Sequence, residues 1–260
     1  MKVLFIDFET QCTNAKITKF TEVGAALYEY QDKKWEKRLG FSHLAWDESY
    51  PAQDPFVAEL TGITDEMLRT SGKPRKDLLV NGLKPLMNNA DVVVAHKADF
   101  DRTVLESTAK IFEVELPKKE WLCTLTNFPW PAKYSCFKLS HLAYDHSILV
   151  DPATLHRAED DVDLLQKLVA KYDFDEVMSY AREPFVYLWA DCNRPWEDNG
   201  VQTGIAKTLG FSWEKIRYMD NFPAIPKKWV MRVKERNLSK IYAGVAKSAS
   251  PFEIKKIEGL

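Results

Sequence analysis

Val3, Leu4, Phe5 and Ile6 form an unbroken apolar run near the start of the chain, and the run ends on two carboxylates in the stretch FIDFET. A short run of this kind marks a central strand in a sheet covered on both faces. Side chains alternate along a strand, so Asp7 and Glu9 point to one face while Ile6 and Phe8 point to the other. At an exposed strand end such a D-x-E pair is simply solvated. At the end of a buried strand the two carboxylates repel each other unless a cation lies between them. A divalent metal ion meets that need, and it requires further oxygen ligands from elsewhere in the chain.

The patterns downstream predict an α/β arrangement. Residues 2–8 read as a strand, EVGAALYEY (22–30) as its hairpin partner and KKWEKRLGFSHL as a third strand. In FVAELTGITDEMLRT a short helix breaks at Gly62, and Thr64 caps a second. From Asp77 the positions Leu78, Leu79, Leu83 and Leu86 predict a further helix that tolerates Gly82. ADVVVAH (90–96) has the β-branched texture of a fully buried parallel strand, and FDRTVLESTAKIF runs on with helical spacing at Phe100, Val104, Ile111 and Phe112. WLCTLTNF predicts a strand, and Lys138 to Tyr144 a short helix. In HRAEDDVDLLQKLVAKY, Ala158, Val162, Leu165, Leu168 and Val169 share one face, the clearest amphipathic helix in the chain.

The texture changes where Pro184 and Pro195 bracket an aromatic strand. This places a domain boundary near residue 182, with a body at 1–182 and a small α+β module at 183–260. A chain of 260 residues has room for both. With 45% hydrophobic and 28% charged residues, the composition is that of an ordinary globular protein. The net charge of -2 excludes a uniformly basic coat for nucleic acid, but it conceals a division. Residues 183–260 carry 13 Lys+Arg against 9 Asp+Glu, a net of +4, which leaves 1–182 at -6. An acidic body with a basic module suits a metal-using enzyme that handles a polyanion.

Cys12, Cys123, Cys136 and Cys192 are widely spaced and form no C-x-x-C, so reduced thiols are expected rather than a zinc site or a disulfide framework. Neither a membrane-spanning run nor a secretory signal pattern is read, and the cytoplasm is the expected location.

Two further acidic stretches join FIDFET: HKADFD, with Asp101 at a strand-to-helix junction, and HRAEDD, with His156 and Asp161. In order and spacing the three resemble the motifs of the DEDDh 3′-to-5′ exonucleases, the proofreading-exonuclease superfamily with a ribonuclease H-like fold. EVGAALYEY, ELTGITDEML, EWLCTL and KYSCFKLSHLA add similarity to exonuclease X. The resemblance covers roughly residues 1–175. It implies a central mixed five-stranded sheet flanked by helices.

It further implies that Asp7, Glu9, Asp101 and Asp161 hold two Mg²⁺ or Mn²⁺ ions about 4 Å apart, with His156 as general base for attack on the terminal phosphodiester and release of nucleoside 5′-monophosphates. An imidazole suits that role, since its ordinary pKa of about 6.5 leaves it mostly free to accept a proton near neutral pH. The expected partner is nucleic acid with a 3′ end, DNA in the first place. An exoribonuclease is the alternative, as is a proofreading or binding subunit of a polymerase complex, and a replication or repair partner is an open expectation. By the same resemblance Thr10, His96 and Phe100 contact the terminal nucleotide, with core packing as the competing reading for Phe100. One position departs from the pattern: Lys97 stands where relatives carry Asn.

His146 and Asp151 repeat the five-residue offset of His156 and Asp161, but HSILVDP is β-branched and runs into Pro152, which resists a helix. In HKADFD the family motif selects Asp101 and leaves Asp99 as a helix cap. Asp160 and Asp163 are expected on a solvated face or behind the ligands. In the C-terminal module, AKTLGFSW followed by PKKWVMRV resembles a small module attached to DNA-processing proteins. Trp213 and Trp229 are read either as that module's core or as base-stacking platforms, with Lys227, Lys228, Arg232, Lys234 and Arg236 facing phosphates.

Overall fold

The structure, a computed structural model, describes residues 1–14, 19–48, 53–130, 136–151, 156–214 and 228–256. The described chain divides into two compact units, Met1–Ala181 and Arg182–Leu260.

The first unit is built on a five-stranded mixed sheet with strand order β3-β2-β1-β4-β5. Strands β1 (Lys2–Thr10), β2 (Phe20–Gln31) and β3 (Lys34–Leu44) form an antiparallel meander, and β1, β4 (Val92–Ala95) and β5 (Glu120–Cys123) run parallel. The β2–β3 turn places Asp32 and Lys33 both at positive φ, 52° and 61°. That is the backbone a two-residue hairpin needs to match strand twist. The sheet is covered on both sides, as the apolar run in β1 requires. Leu4, Ile6 and Phe8 pack with Leu79, Leu83, Val104 and Leu105 on one face; Val3 and Phe5 pack with Val162, Leu165, Val169 and Phe174 on the other.

Helices α1 (Pro55–Thr61) and α2 (Asp65–Ser71) follow the meander, separated by Gly62 in the left-handed region at φ 67° and by Thr64, whose hydroxyl accepts from the Met67 amide. The next helix differs from expectation. It begins as α3 (Arg75–Asp77), widens into a π-helical stretch at Leu78–Leu83 and returns to α4 (Lys84–Asn89). Pro85 has no N–H to give an α-helical ladder, and a Cβ at Gly82 would lie 2.8 Å from the Phe41 ring, so this segment widens where it meets β3.

Arg75 at the start of this helix is fully buried; its Nε donates to the Phe20 carbonyl at 2.7 Å and its Nη1 to Asp47 Oδ2 at 2.7 Å. Arg75→Ala strands a carbonyl and a carboxylate around a cavity. It is expected to cost about 3–5 kcal/mol of unfolding free energy in urea titration.

Helix α5 (Ala98–Ile111) leaves β4 through Lys97, which sits at φ 66° and caps the helix with no side-chain bond. Asp99 is therefore inside the first turn and is not the cap. The buried face runs through Ala98, Asp101, Val104, Leu105, Thr108 and Ala109, while Ile111 is turned to solvent. After α6 (Leu139–Asp145), α7 (Ala158–Val169) lies across β1 and β2 and α8 (Phe174–Arg182) ends the unit.

The second unit is an antiparallel four-stranded sheet of order β7-β8-β6-β9, made of β6 (Phe185–Asp191), β7 (Ser212–Glu214), β8 (Lys228–Lys234) and β9 (Glu253–Lys256). Its core of Val186, Leu188, Ala190, Phe211 and Met231 packs with Ala206 of α9 (Val201–Thr208) and with Leu238 and Ile241 of α10 (Leu238–Ala246). Among the described residues no helix is long and apolar enough to cross a membrane, and the four cysteines are free thiols.

Candidate metal centre

Asp7 and Glu9 lie on the face of β1 that carries Val3 and Phe5, the face that α7 covers. β1 extends past the short parallel strand β4, and α5 springs from the end of β4, so Asp101 in the first turn of α5 arrives beside the end of β1. Ligand sites in open α/β sheets gather at such strand ends. The fourth acid, Asp161, is in the first turn of α7. Ligand atoms of Glu9, His156 and Asp161 all lie within 4.8 Å of one another.

His156 departs from the sequence expectation in one respect. It precedes α7 and does not belong to it, standing in a turn at φ 64°. Its imidazole is exposed at the mouth of the group.

The electrostatics are those of uncompensated negative charge. Asp101 is 2% exposed, and burial pushes its carboxyl up to about 8 although the backbone amides of Phe8 and Asp101 and the charge of Lys97 pull it back. Burial raises Glu9 to about 8 as well, reinforced by Asp161, Glu22 and Asp101 and opposed by Arg157. Asp7 is raised by burial and then by Asp101, Glu9, Asp161 and Glu22. Asp161 is raised to about 6 by burial and Asp160, against a hydrogen bond donated by the His156 backbone amide. Four carboxylates that hold protons against their ordinary pKa values form an all-oxygen donor set short of positive charge. Hard divalent cations fit such a set.

The remaining predicted residues are placed as follows. The Thr10 hydroxyl is buried and donates to the Cys12 carbonyl at 2.8 Å. His96, half-buried at the end of β4, has Nδ1 2.9 Å from Thr124 Oγ1 and Nε2 2.8 Å from the Phe137 carbonyl. A ring nitrogen facing a carbonyl must be the protonated one, so Nε2 donates, and burial lowers this imidazole's pKa further. Both polar atoms of His96 thus tie β4 to the segments that follow it. Phe100 packs at the edge of the core, with the Lys97 ammonium 5.7 Å from its ring centre. His146 sits away from the acids in an aromatic cluster, 2.6 Å from the Tyr172 hydroxyl and beside Trp130. The Pro152 that follows it lies outside the described residues, and Asp151 lines a surface hollow together with Asp160, Asp161 and Asp163.

In the second unit Trp229 packs against the core and Trp213, 52% exposed, lies 5.6 Å from it between ring centres. Lys234 is buried and donates to the Glu183 carbonyl, Arg236 pairs with the Glu183 carboxylate, and Arg232 stacks 3.6 Å over Phe185. Lys227 and the side chain of Lys228 lie outside the described residues. Sequence reading did not single out Glu22 or Arg157, although Glu22 stands directly opposite Glu9 in the β1–β2 ladder. A buried-looking Glu that opens the strand EVGAALYEY was the available signal.

The exonuclease family model named RNase_T matches residues 4–169. The chain belongs to that family. The structure of E. coli exonuclease I in complex with a dA16 oligonucleotide is similar at TM-score 0.57 and 14% identity, covering 90% of this chain and 63% of that one. A 3′-exonuclease described as recognising the 3′ end of a histone mRNA stem-loop is similar at TM-score 0.53 and 16% identity, covering 65% of this chain and 62% of that one. A zinc-bound form of the E. coli exonuclease I–ssDNA complex aligns at TM-score 0.57 and 15% identity, over 90% of this chain and 62% of that one. The chain thus spans less than two thirds of each of these three solved structures, and at these identities they establish its fold. No curated protein matches the sequence.

Proposed function

We propose that this exonuclease-family protein removes nucleotides from the 3′ ends of nucleic acid in a metal-dependent hydrolysis, with DNA as its substrate. The reading is carried by one arrangement: the buried Asp101 and the half-buried Asp7 beside the cluster of Glu9, His156 and Asp161 whose ligand atoms lie within 4.8 Å. Asp7, Glu9, Asp101 and Asp161 hold the divalent cations, Mg²⁺ or Mn²⁺, in a two-metal site. When bound, the cations supply a more acidic attacking water and charge stabilisation at the departing 3′ oxygen.

The chain's own residues do the rest. His156 is exposed, with a ring nitrogen within 4.8 Å of carboxylate oxygens of Glu9 and Asp161, and is the group that would accept the proton of the attacking water. Lys97 is exposed, brings a positive charge close enough to influence Asp101 and is available to a phosphate of the substrate. The ring of Phe100 stands beside Lys97 and offers a stacking surface for the terminal base. A location in the cytoplasm and a nucleic-acid contact by the module 183–260 belong to the same proposal.

The decisive experiment uses 5′-labelled single-stranded DNA and RNA of one sequence, with Mn²⁺ or chelator. A ladder that shortens from the 3′ end on DNA, requires metal and slows on the order of 10³-fold in His156→Ala is the expected result. Faster shortening of RNA would reassign the substrate. No metal-dependent shortening of either would overturn the reading.

A further inference from the structure

At the turn that carries His156, the residue's own backbone amide donates to the Asp161 carboxylate. His156 stands at positive φ outside any helix, and Arg157, the residue that opens α7, provides no side-chain cap. The first amides of a helix have no partner within it. Here the Ala158 amide donates across the sheet to Glu22 Oε2 at 3.0 Å. The same carboxylate accepts from Arg157 Nε at 3.1 and 3.2 Å and from Arg157 Nη2 at 2.6 Å. Two positions further along β2, a Cβ at Gly24 would fall 2.2 Å from the Ala158 carbonyl oxygen, so the backbone of α7 lies directly on the strand at that point. Glu22 itself is 2% exposed.

Glu22 is a costly residue to place here. It sets a further carboxylate, paired with Arg157, beside the acidic group, and it raises Asp7, Glu9 and Asp161 in pKa. The body of α7 does not need it, because Val162, Leu165, Leu168 and Val169 anchor that helix through its apolar face. What depends on Glu22 is the two residues directly after His156.

We propose that Glu22 is a positioning residue for His156: by gripping Arg157 and the Ala158 amide it holds the imidazole over Glu9 and Asp161. This rests on His156 being the base of the proposed reaction. A misplacement of about 1 Å at a reacting group costs on the order of 100-fold in rate. A double-mutant cycle with single-turnover rates on 5′-labelled DNA, together with calorimetric Mn²⁺ binding, tests it.

Glu22→Ala is expected to lower the rate about 10- to 100-fold, while Mn²⁺ affinity stays within about twofold and the same substitution in a His156→Ala background adds less than about twofold. Glu22→Gln, which keeps an acceptor for the Ala158 amide, serves as the second variant should Glu22→Ala fail to fold, and is expected to show the same non-additivity with a smaller loss. An effect that multiplies in full in the His156→Ala background, or a fall in Mn²⁺ affinity that accounts for the rate, would make Glu22 a general prop and overturn the proposal. A His156→Ala protein with unchanged activity would instead sink the reading of His156, whatever Glu22 does.

Discussion

Asp101→Asn is expected to slow metal-dependent release of 3′ nucleotides on the order of 10³-fold or more, with the fold intact. Asp101 is buried at the base of the site, and its carboxyl, pushed up to about 8, accepts the Phe8 amide that joins α5 to the end of β1. Asparagine has nearly the same shape and retains an oxygen for that amide. It cannot supply the negative charge a cation needs. Removing a repelling charge from the metal-free protein is favourable at alkaline pH, so the variant's Tm in chelator at pH 8 should equal or exceed that of the wild type. The pair of measurements is discriminating. Retained nuclease activity would remove Asp101 from the ligand set, and lost activity with a lowered Tm would make it a structural residue only.

Without metal the protein should lose stability as pH rises, the reverse of ordinary acid denaturation. Glu9 and Asp101 are raised to about 8 in the folded chain from ordinary values of 4.5 and 3.8, Asp161 is raised to about 6, and Asp7 is raised too. Between about pH 4 and pH 8 the folded state therefore holds protons that the unfolded state has released, so the slope of unfolding free energy against pH is negative. The stability these groups contribute is complete below their unfolded pKa values and lost as pH passes through the folded ones. A cation binds the deprotonated site and offsets the repulsion, so its stabilising effect should grow with pH. Calorimetric scans in chelator are expected to show a Tm at least about 5 °C lower at pH 8 than at pH 5.5, and millimolar Mn²⁺ should abolish most of the difference. A Tm that rises with pH in chelator would mean that the carboxylates are not desolvated as a group.

The meander, the buried parallel strand ADVVVAH and the α7 stripe were legible because each is a local pattern of period two or 3.6 that burial then enforces. The helix break at Gly62 and the Thr64 cap were legible for the same reason: both act within four residues. Ile111 was misjudged, since a helical period admits two neighbouring faces and only the sheet selected the one through Leu105 and Ala109. The π-helical widening at Leu78–Leu83 depends on Phe41 from a distant strand. The side-chain bonds of His96 depend on Thr124 and Phe137, 28 and 41 residues away.

By itself the sequence determined which strand carries Asp7 and Glu9 on one face, which junction carries Asp101, and that an acid and an imidazole accompany the start of the amphipathic helix. These are consequences of alternation, helical period and motif order along one stretch of chain. Only the tertiary structure decided that Glu9 and Asp161 meet beside His156 with Asp7 and Asp101 near enough to raise their neighbours' pKa, that His156 stands before α7 in a left-handed turn, and that its neighbours are held by Glu22. The helix start lacks a cap of its own, and its missing partner comes from a strand 136 residues away in the chain, across a contact so close that Gly24 has no room for a Cβ. Hydrogen bonds and repulsions over such separations exist only once the sheet has closed, which is why no local pattern announces them.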